Sequence, residues 1–266
     1  MLNPNFFNTF FVIPILNILM SFYKVFSFIK IPGTLGWSMI GLTVFVRLLL
    51  HPFFKQQLET AKKMQDIKPH LDKLTAKHKK DPKKLQEEQM RLYQQAGINP
   101  ASGCLFLIIQ MPIFIALYQT LSLFLTKGSL SKVIVEINKV VYLPILKVQS
   151  ISPWFFGFNL VLSPAKSGLW FYYLIPIITG ILQYFQAQTT GMSAPADAKA
   201  MAGKPEDKKN DSGDFQKAMN MQMKYIFPFM IGYFSYTLPV GLSLYWNIFS
   251  IFSIIQYHQM KIKSSK

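Results

Sequence analysis

The sequence predicts an all-α integral membrane protein with five transmembrane helices. Hydrophobic residues make up 51% of the 266 residues and charged residues only 15%, whereas soluble domains carry about 25% charged residues. The charges are also unevenly placed, because residues 55–91 are crowded with them and long stretches elsewhere have none. A chain of this kind passes repeatedly between lipid and water, since a helix needs about 20 apolar residues to cross a bilayer.

The net charge of +16 would also fit a nucleic-acid-binding protein. The basic residues lie in loops between apolar runs, however, and no nucleic-acid-binding motif or basic stripe with interleaved aromatic residues accompanies them. Membrane topology accounts for the charge better, and we do not expect direct binding of nucleic acid.

Nothing in the sequence indicates an enzyme, a cofactor or a metal site. The single cysteine, Cys104, cannot form an intramolecular disulfide and has no partner cysteines for a zinc site. The four histidines lack metal-binding spacing, and neither a glycine-rich phosphate loop nor a GxSxG nucleophile motif occurs. We therefore expect a non-enzymatic protein without cofactors.

The apolar runs and the breaks between them predict nine consecutive segments. They are an N-terminal interfacial amphipathic helix (1–34), transmembrane span 1 (35–54), a cytoplasmic helical hairpin (55–99), span 2 (100–125), an extracytoplasmic segment (126–168), span 3 (169–188), a flexible cytoplasmic linker (189–222), spans 4 and 5 (223–258) and a short cytoplasmic tail (259–266). No internal repeat is evident, which weighs against an inverted-repeat transporter.

The first segment has two interpretations. Residues 6–29 are long enough to cross a bilayer, but Asn17, Ser21 and Lys24 recur at helical spacing and form a thin polar stripe. Such a stripe favours a helix that lies in the plane of the membrane interface. We prefer the interfacial helix, and the alternative is a sixth span that leaves everything downstream unchanged.

Helix-breaking residues predict the other boundaries. Pro52 indicates a kink near the end of span 1, and Asp81 followed by Pro82 indicates the N-cap and first residue of the second hairpin helix. Gly97 indicates the end of that helix, and Pro239 separates spans 4 and 5. The partial apolar faces of the hairpin are predicted to comprise Leu71, Leu74, His78, Leu85, Met90 and Leu92.

The distribution of lysine and arginine predicts the orientation. The hairpin carries eleven of them, the linker and its flank carry six, and the tail carries three; the extracytoplasmic segment carries five and the first 34 residues carry two. The positive-inside rule therefore places the hairpin, the linker and the C-terminus in the cytoplasm.

Arg47 is the most informative single residue, because it is a charge inside an otherwise apolar span. It lies about 12 Å from Lys55 along the helix axis, and a charge at the centre of a span costs roughly 2.5–3.5 kcal/mol on the insertion scale. None of the five predicted spans contains Asp or Glu, so a water-filled cavity is a better solution than a salt bridge. The alternative is an arginine that snorkels to the cytoplasmic interface. The polar residues that could line a cavity with it are Gln110, Gln183, Gln186, Gln188, Ser243 and Asn247.

Three sequence blocks are similar to the YidC/Oxa family of membrane insertases. They are FVRLLLHPFFKQQLETAKKMQDIKPHLDKL, DPKKLQEEQMRLYQQAGINPASGCLFLIIQMPIFIALYQTL and FSYTLPVGLSLYWNIFSIFSIIQ, and the resemblance covers the chain from about residue 5 onward. It implies a five-span bundle with a hydrophilic groove open to the cytoplasm and to lipid. It also implies that Arg47 is the groove arginine, that Gln186 (or its rival Gln183) is a groove glutamine, and that Trp246 is the groove aromatic residue. Gln110 and Asn247 complete the expected groove.

The resemblance implies a non-enzymatic insertase that moves newly made hydrophobic segments and their polar flanks into the bilayer of the bacterial inner membrane. The expected partners are nascent membrane proteins and lipid, with the ribosome and the Sec translocon as further candidates. This sequence lacks the large extracytoplasmic domain and the long basic C-terminal tail of some relatives, so strong autonomous ribosome docking is not expected. Because the usual first span or lipoprotein signal is missing, Met1 need not be the biological start. The main alternative is a small-solute channel or transporter with Arg47 as an anion site.

Overall fold

A computed structural model describes residues 5–78, 81–99, 111–120, 123, 130–189 and 222–264, and it is mostly helical. The described α-helices are α1 Ile13–Phe28, α2 Thr34–Leu49, α3 His51–Lys77, α4 Pro82–Gln95, α5 Met111–Thr120, α6 Leu130–Val140, α7 Pro164–Ser167, α8 Leu174–Thr189, α9 Phe227–Thr237 and α10 Val240–Ser264. Two π-helical turns, Asn8–Val12 and Gln222–Ile226, precede α1 and α9, and two 3₁₀ turns lie at Pro144–Leu146 and Trp170–Tyr173. A short β-hairpin pairs β1 (Trp154–Phe155) with β2 (Phe158–Asn159), so the mainly helical prediction is confirmed with one small exception.

The chain folds as two compact units. The first comprises Met1–Leu50, Ile108–Gln183 and Met230–Phe252. The second comprises His51–Leu107, Tyr184–Phe229 and Ser253–Lys266. Most of the predicted linker, residues 190–221, lies outside the described residues.

Within the described part of the chain, two helices are long and apolar enough to cross a membrane, Asn8–Phe28 and Val240–Gln259. Taking α2 together with the consecutive α3 as one broken span brings the number to three. Helices α8 and α9 are shorter, with 16 and 11 residues, and most of the predicted span 2 lies outside the described residues. The structure therefore supports a membrane protein, and the count of five spans stays a prediction.

Helix α1 packs against α2 through aromatic and glycine residues. The Phe22 ring lies over Gly41, and its centroid is 6.2 Å from that of Phe45. On another side of α1, the buried Asn17 side chain donates to the Val140 carbonyl and accepts from the Tyr142 amide. The polar stripe of this segment is thus bonded partly to protein, and it does not by itself require a helix at the water surface.

The break between α2 and α3 follows from a proline in the first turn of α3. Helix α2 ends at Leu49 and α3 begins at His51, with Pro52 next. Proline lacks the amide that would continue the preceding hydrogen-bond ladder, but its fixed φ suits a first turn. The α2 helix is therefore shorter than the predicted span 35–54, and α3 begins four residues before Lys55.

Helices α3 and α4 pack against each other around a small core. Asp81 caps α4 by accepting a hydrogen bond from the Lys84 amide at 3.1 Å, as the sequence predicts. Gly97 ends the helix with φ +62°, and the Ile98 amide donates to the Tyr93 carbonyl. The buried core comprises Leu71, Tyr93 and Ile98, with Met64, Ile67, Leu92 and Ala96 against it. Of the predicted apolar face, Leu71 and Leu92 belong to this core, whereas the buried Tyr93 was missed because its hydroxyl disguises a largely apolar ring.

Gln65 joins three segments of the second unit. Its Nε2 donates to the Gln188 carbonyl near the end of α8 at 2.9 Å, and its Oε1 accepts from the Tyr257 hydroxyl of α10 at 2.7 Å. Each such bond contributes about 0.5–1.5 kcal/mol net. The two hydrogen bonds of Gln65 together favour this position of α3, but they are too weak to hold the helix there alone.

Replacing Gln65 with alanine is expected to loosen α3 from the ends of α8 and α10. Amide hydrogen exchange around residue 65 should accelerate by roughly tenfold, because two hydrogen bonds are lost at once. Tyr257→Phe removes one of the two and should have a smaller effect. Thr60→Ala is the control, since the Thr60 hydroxyl donates to the Gln56 carbonyl of the same helix; exchange in Gln65→Ala no faster than in Thr60→Ala would contradict the expectation.

The β-hairpin packs on the beginning of α2 and is bonded to the beginning of α10. The Phe155 ring lies against Gly33 and Gly36, in space that only glycine leaves open. The amides of Val240 and Gly241, which have no partner inside their own helix, donate to the carbonyls of Leu162 and Leu160. The predicted irregular segment 126–168 thus contains an ordered connection between two helix N-termini.

Candidate functional site

Arg47 lies on the interior face of α2. Residues on this face are buried at helical spacing, from Leu35 through Met39 and Thr43 to Arg47 itself, whose side chain is 2% exposed. The exposed face carries Phe45 and Leu48 instead. The arginine therefore points into the first unit, which disfavours the alternative of a side chain that snorkels along the outer surface.

The Arg47 guanidinium stacks on an aromatic ring of α10. Its central carbon lies 4.3 Å from the centroid of Phe249. A cation over the face of a ring is attracted by the ring quadrupole, and the attraction strengthens when both groups are removed from water. The Phe249 ring is one partner of the guanidinium, and a cation–π contact of this kind leaves the positive charge in place.

A single turn of α10 contacts three other helices. Trp246 stacks on Phe114 of α5, with ring centroids 5.3 Å apart and planes 9° apart. Phe249 holds the Arg47 guanidinium of α2. The Ser250 hydroxyl accepts a hydrogen bond from Gln183 of α8 at 3.2 Å. This turn is the structural centre of the candidate site, and it brings the predicted residues Arg47, Gln183 and Trp246 to one helix.

The other predicted residues have different positions. Asn247 lies in the same turn of α10, and its Oδ1 is buried with no hydrogen-bond partner among the residues that the structure describes. Gln186 is also buried, but it belongs to the second compact unit. Gln110 lies outside the described residues, as does Cys104. Of the two rival glutamines of α8, Gln183 is therefore the one that shares a unit with Arg47.

Buried hydroxyl groups continue the polar interior between α8, α9 and α10. The Ser235 and Ser243 hydroxyls lie 2.6 Å apart, and Ser235 also donates to Thr179 at 3.2 Å. The sequence reasoning missed Phe114, Thr179, Ser235, Phe249 and Ser250. A signal for part of this set existed, because Thr179, Gln183 and Gln186 on α8, like Ser243, Asn247 and Ser250 on α10, follow i, i+4, i+7 spacing.

Replacing Ser235 with alanine is expected to lower the free energy of unfolding by about 0.5–2 kcal/mol, the range measured for buried interhelical hydrogen bonds in membrane proteins. Ser235 is the central member of the cluster, so its loss removes two contacts. The measurement is the thermal midpoint of the purified protein in detergent. Thr237→Ala is the control, because that residue is exposed and its hydroxyl donates to the carbonyl of Phe234 in the same helix; an equal drop for both variants would contradict a role for the cluster.

The side chains of this site can bind polar groups through charge, hydrogen bonds and ring contacts. It offers one cation, several amides and hydroxyls, and aromatic rings. Among the described residues, no group of three or more His, Cys, Asp or Glu could hold a metal ion. The arrangement can attract, hydrogen-bond and orient a polar or anionic group between apolar helices.

Comparison with known proteins places this architecture in a family. A family profile described as 60Kd inner membrane protein matches residues 25–266. A protein of Oceanobacillus iheyensis is 31% identical over 261 residues, which are 94% of this chain and 81% of that protein. Proteins of Chlamydia caviae and Caulobacter vibrioides are 31% and 32% identical over 95% and 94% of this chain.

All three relatives bear the name membrane protein insertase YidC. The chain spans 28% of the Chlamydia caviae protein and 36% of the Caulobacter vibrioides protein, so both relatives are much longer. The match over nearly the whole of this chain confirms the predicted resemblance. The chain belongs to the 60Kd inner membrane protein family, which is the YidC/Oxa family.

Proposed function

We propose that this protein is a membrane protein insertase that moves newly made hydrophobic segments and their polar flanks from the cytoplasm into the bilayer. The observation that carries the proposal is the buried Arg47, which lies on the interior face of an apolar helix and stacks on Phe249. The names of the relatives support the same role. No nucleotide or cofactor takes part in the proposed process.

The proposed mechanism shortens the apolar distance that a polar flank must cross. An unpaired charge in hydrocarbon is costly, whereas a groove that holds water and a cation lowers the cost for an acidic or polar flank. The groove is proposed to contain Arg47, Gln183, Trp246 and Asn247, with Gln110 as a further member. The apolar part of the substrate then moves sideways into lipid, which is favoured by about 25 cal/mol per Å² of apolar surface removed from water.

The proposed orientation places α3 and α4, the linker and the C-terminus in the cytoplasm of a bacterial cell. The excess of lysine and arginine in these segments supports it. We assign the charged hairpin of α3 and α4 substrate capture or partner docking. Nascent membrane proteins and lipid are the proposed partners, with the ribosome and the Sec translocon as candidates for delivery.

The test is insertion of a short single-span substrate with an acidic tail into vesicles that contain only this protein and lipid. Protection of the tail from external protease, dependent on the protein, is the expected result. Solute flux through the same vesicles under an imposed anion gradient separates insertion from the channel or transporter alternative. Flux without tail protection would overturn the proposal in favour of that alternative.

A further inference from the structure

The tip of the β-hairpin combines an exposed aromatic ring with an unfavourable backbone. Phe156 has φ +46°, and the following Gly157 has φ +84°. Two consecutive residues with positive φ make the tight turn that suits a two-residue hairpin, and Asn, Asp or Gly normally occupy its first position. A phenylalanine there is strained, yet its side chain is 73% exposed.

The tip is firmly held by its surroundings. The Leu160 amide donates to the Pro153 carbonyl, and the Asn159 amide donates to the hydroxyl of the buried Tyr172. The neighbouring Phe155 is wedged against α2 at Gly36. The exposure of Phe156 is therefore a property of an ordered turn.

The tip lies at the end of a helix that is long enough to cross a membrane. The first amide of α10, that of Val240, donates to the carbonyl of Leu162, only a few residues beyond the tip. The N-terminus of a spanning helix lies at a bilayer boundary. The stretch 148–165 around the tip contains no charged residue. Trp154 within this stretch is exposed, and so is Trp170, five positions after it.

We propose that the hairpin tip, with Phe156 at its centre and Trp154 at its flank, inserts into the lipid interface at the α10 N-terminal side of the bilayer. Moving a phenyl ring from water into hydrocarbon is favourable enough to offset a left-handed non-glycine residue. Trp154 supplies the amphipathic ring that such an interface favours. The partner is the acyl and glycerol region of the lipid, and in the proposed orientation it belongs to the outer leaflet. The inference goes beyond the proposed function, because lipid contact at the tip does not depend on whether the protein inserts substrates into the membrane.

The test measures the depth of the tip in vesicles that contain the full chain and phosphatidylcholine alone. In a Cys104→Ala background, Phe156→Cys is labelled with bimane and exposed either to nitroxide lipid with its spin label near the glycerol or to aqueous iodide. Quenching by the nitroxide lipid is expected to exceed quenching by iodide several-fold. Lys166→Cys, at an exposed charged residue of α7, is the matched control and should show the reverse.

Equal iodide quenching at positions 156 and 166 would overturn the proposal. Protection of position 156 from both quenchers would also overturn it, because it would place the tip against protein, such as a second copy of the chain. If Phe156→Cys fails to fold, Trp154→Cys provides a second probe, since residue 154 is a strand residue outside the strained turn. Its label should be quenched by the nitroxide lipid in the same way.

Discussion

Replacing Arg47 with alanine is expected to reduce insertion of an acidic-tailed substrate by about tenfold to a hundredfold. A charge-assisted hydrogen bond contributes about 1.5–3 kcal/mol, and the loss of that amount from the barrier slows a step by such factors. Arg47→Lys keeps the charge and should retain much of the activity. The measurement is the initial rate of tail protection in vesicles that contain only the protein and lipid.

Two controls separate the charge from the fold. Lys139→Ala removes an exposed cation of α6 that is paired with Glu136 and lies outside the proposed groove and hairpin, and it should leave the rate unchanged. A substrate with a neutral tail should respond less to Arg47→Ala than the acidic one does. Full activity of Arg47→Ala on the acidic tail, with the protein folded, would refute the role of the charge.

Replacing Gly36 with alanine adds one methyl group and is expected to lower the free energy of unfolding more than Gly41→Ala does. A Cβ atom at residue 36 would overlap Cδ2 and Cγ of Phe155, so the ring must leave its position. Overpacking of this kind costs typically about 1–3 kcal/mol. The loss should appear as a lower thermal midpoint in detergent and as greater protease sensitivity of the β-hairpin.

The contact itself can be tested by a double-mutant cycle. Phe155→Ala alone leaves a cavity, but Gly36→Ala combined with Phe155→Ala should be more stable than the sum of the two changes predicts. Gly41→Ala is a graded comparison, because its Cβ would meet the edge of the Phe22 ring at 2.9 Å. Additive effects of Gly36→Ala and Phe155→Ala would contradict a direct clash.

Boundaries set by local chemistry were predictable from the sequence. Asp81 caps α4 because its carboxylate reaches an amide three residues away, and Pro239 lies between α9 and α10 because proline cannot continue a helix. Arg47 stood out for a similar reason, since one charge among apolar neighbours is visible without any structure. Each of these signals lies within a few residues of its effect.

Features that depend on distant residues were not predictable. Asn17 bonds to the backbone of Val140 and Tyr142, more than 120 positions away. Its polar side chain suggested contact with water, because the sequence gives no sign of these partners. In the sequence Phe249 is an ordinary apolar residue, and only the structure shows that the Arg47 guanidinium lies over its ring. The β-hairpin was hidden as well, because Phe156 occupies a turn position where asparagine or glycine would have revealed it.

The contact between the Phe155 ring and Gly36 fixes one point on α2. The distance along the helix from this contact to Arg47 is then set by the number of residues between them. Arg47 lies eleven positions after Gly36, which at 1.5 Å per residue places the arginine about 16 Å along the helix axis from this contact. One inserted residue between them would turn Arg47 by about 100° around the helix axis, because a turn holds 3.6 residues. The charge would then leave the interior face for the side that carries exposed Leu48. The number of residues between Gly36 and Arg47 is therefore expected to tolerate neither insertion nor deletion.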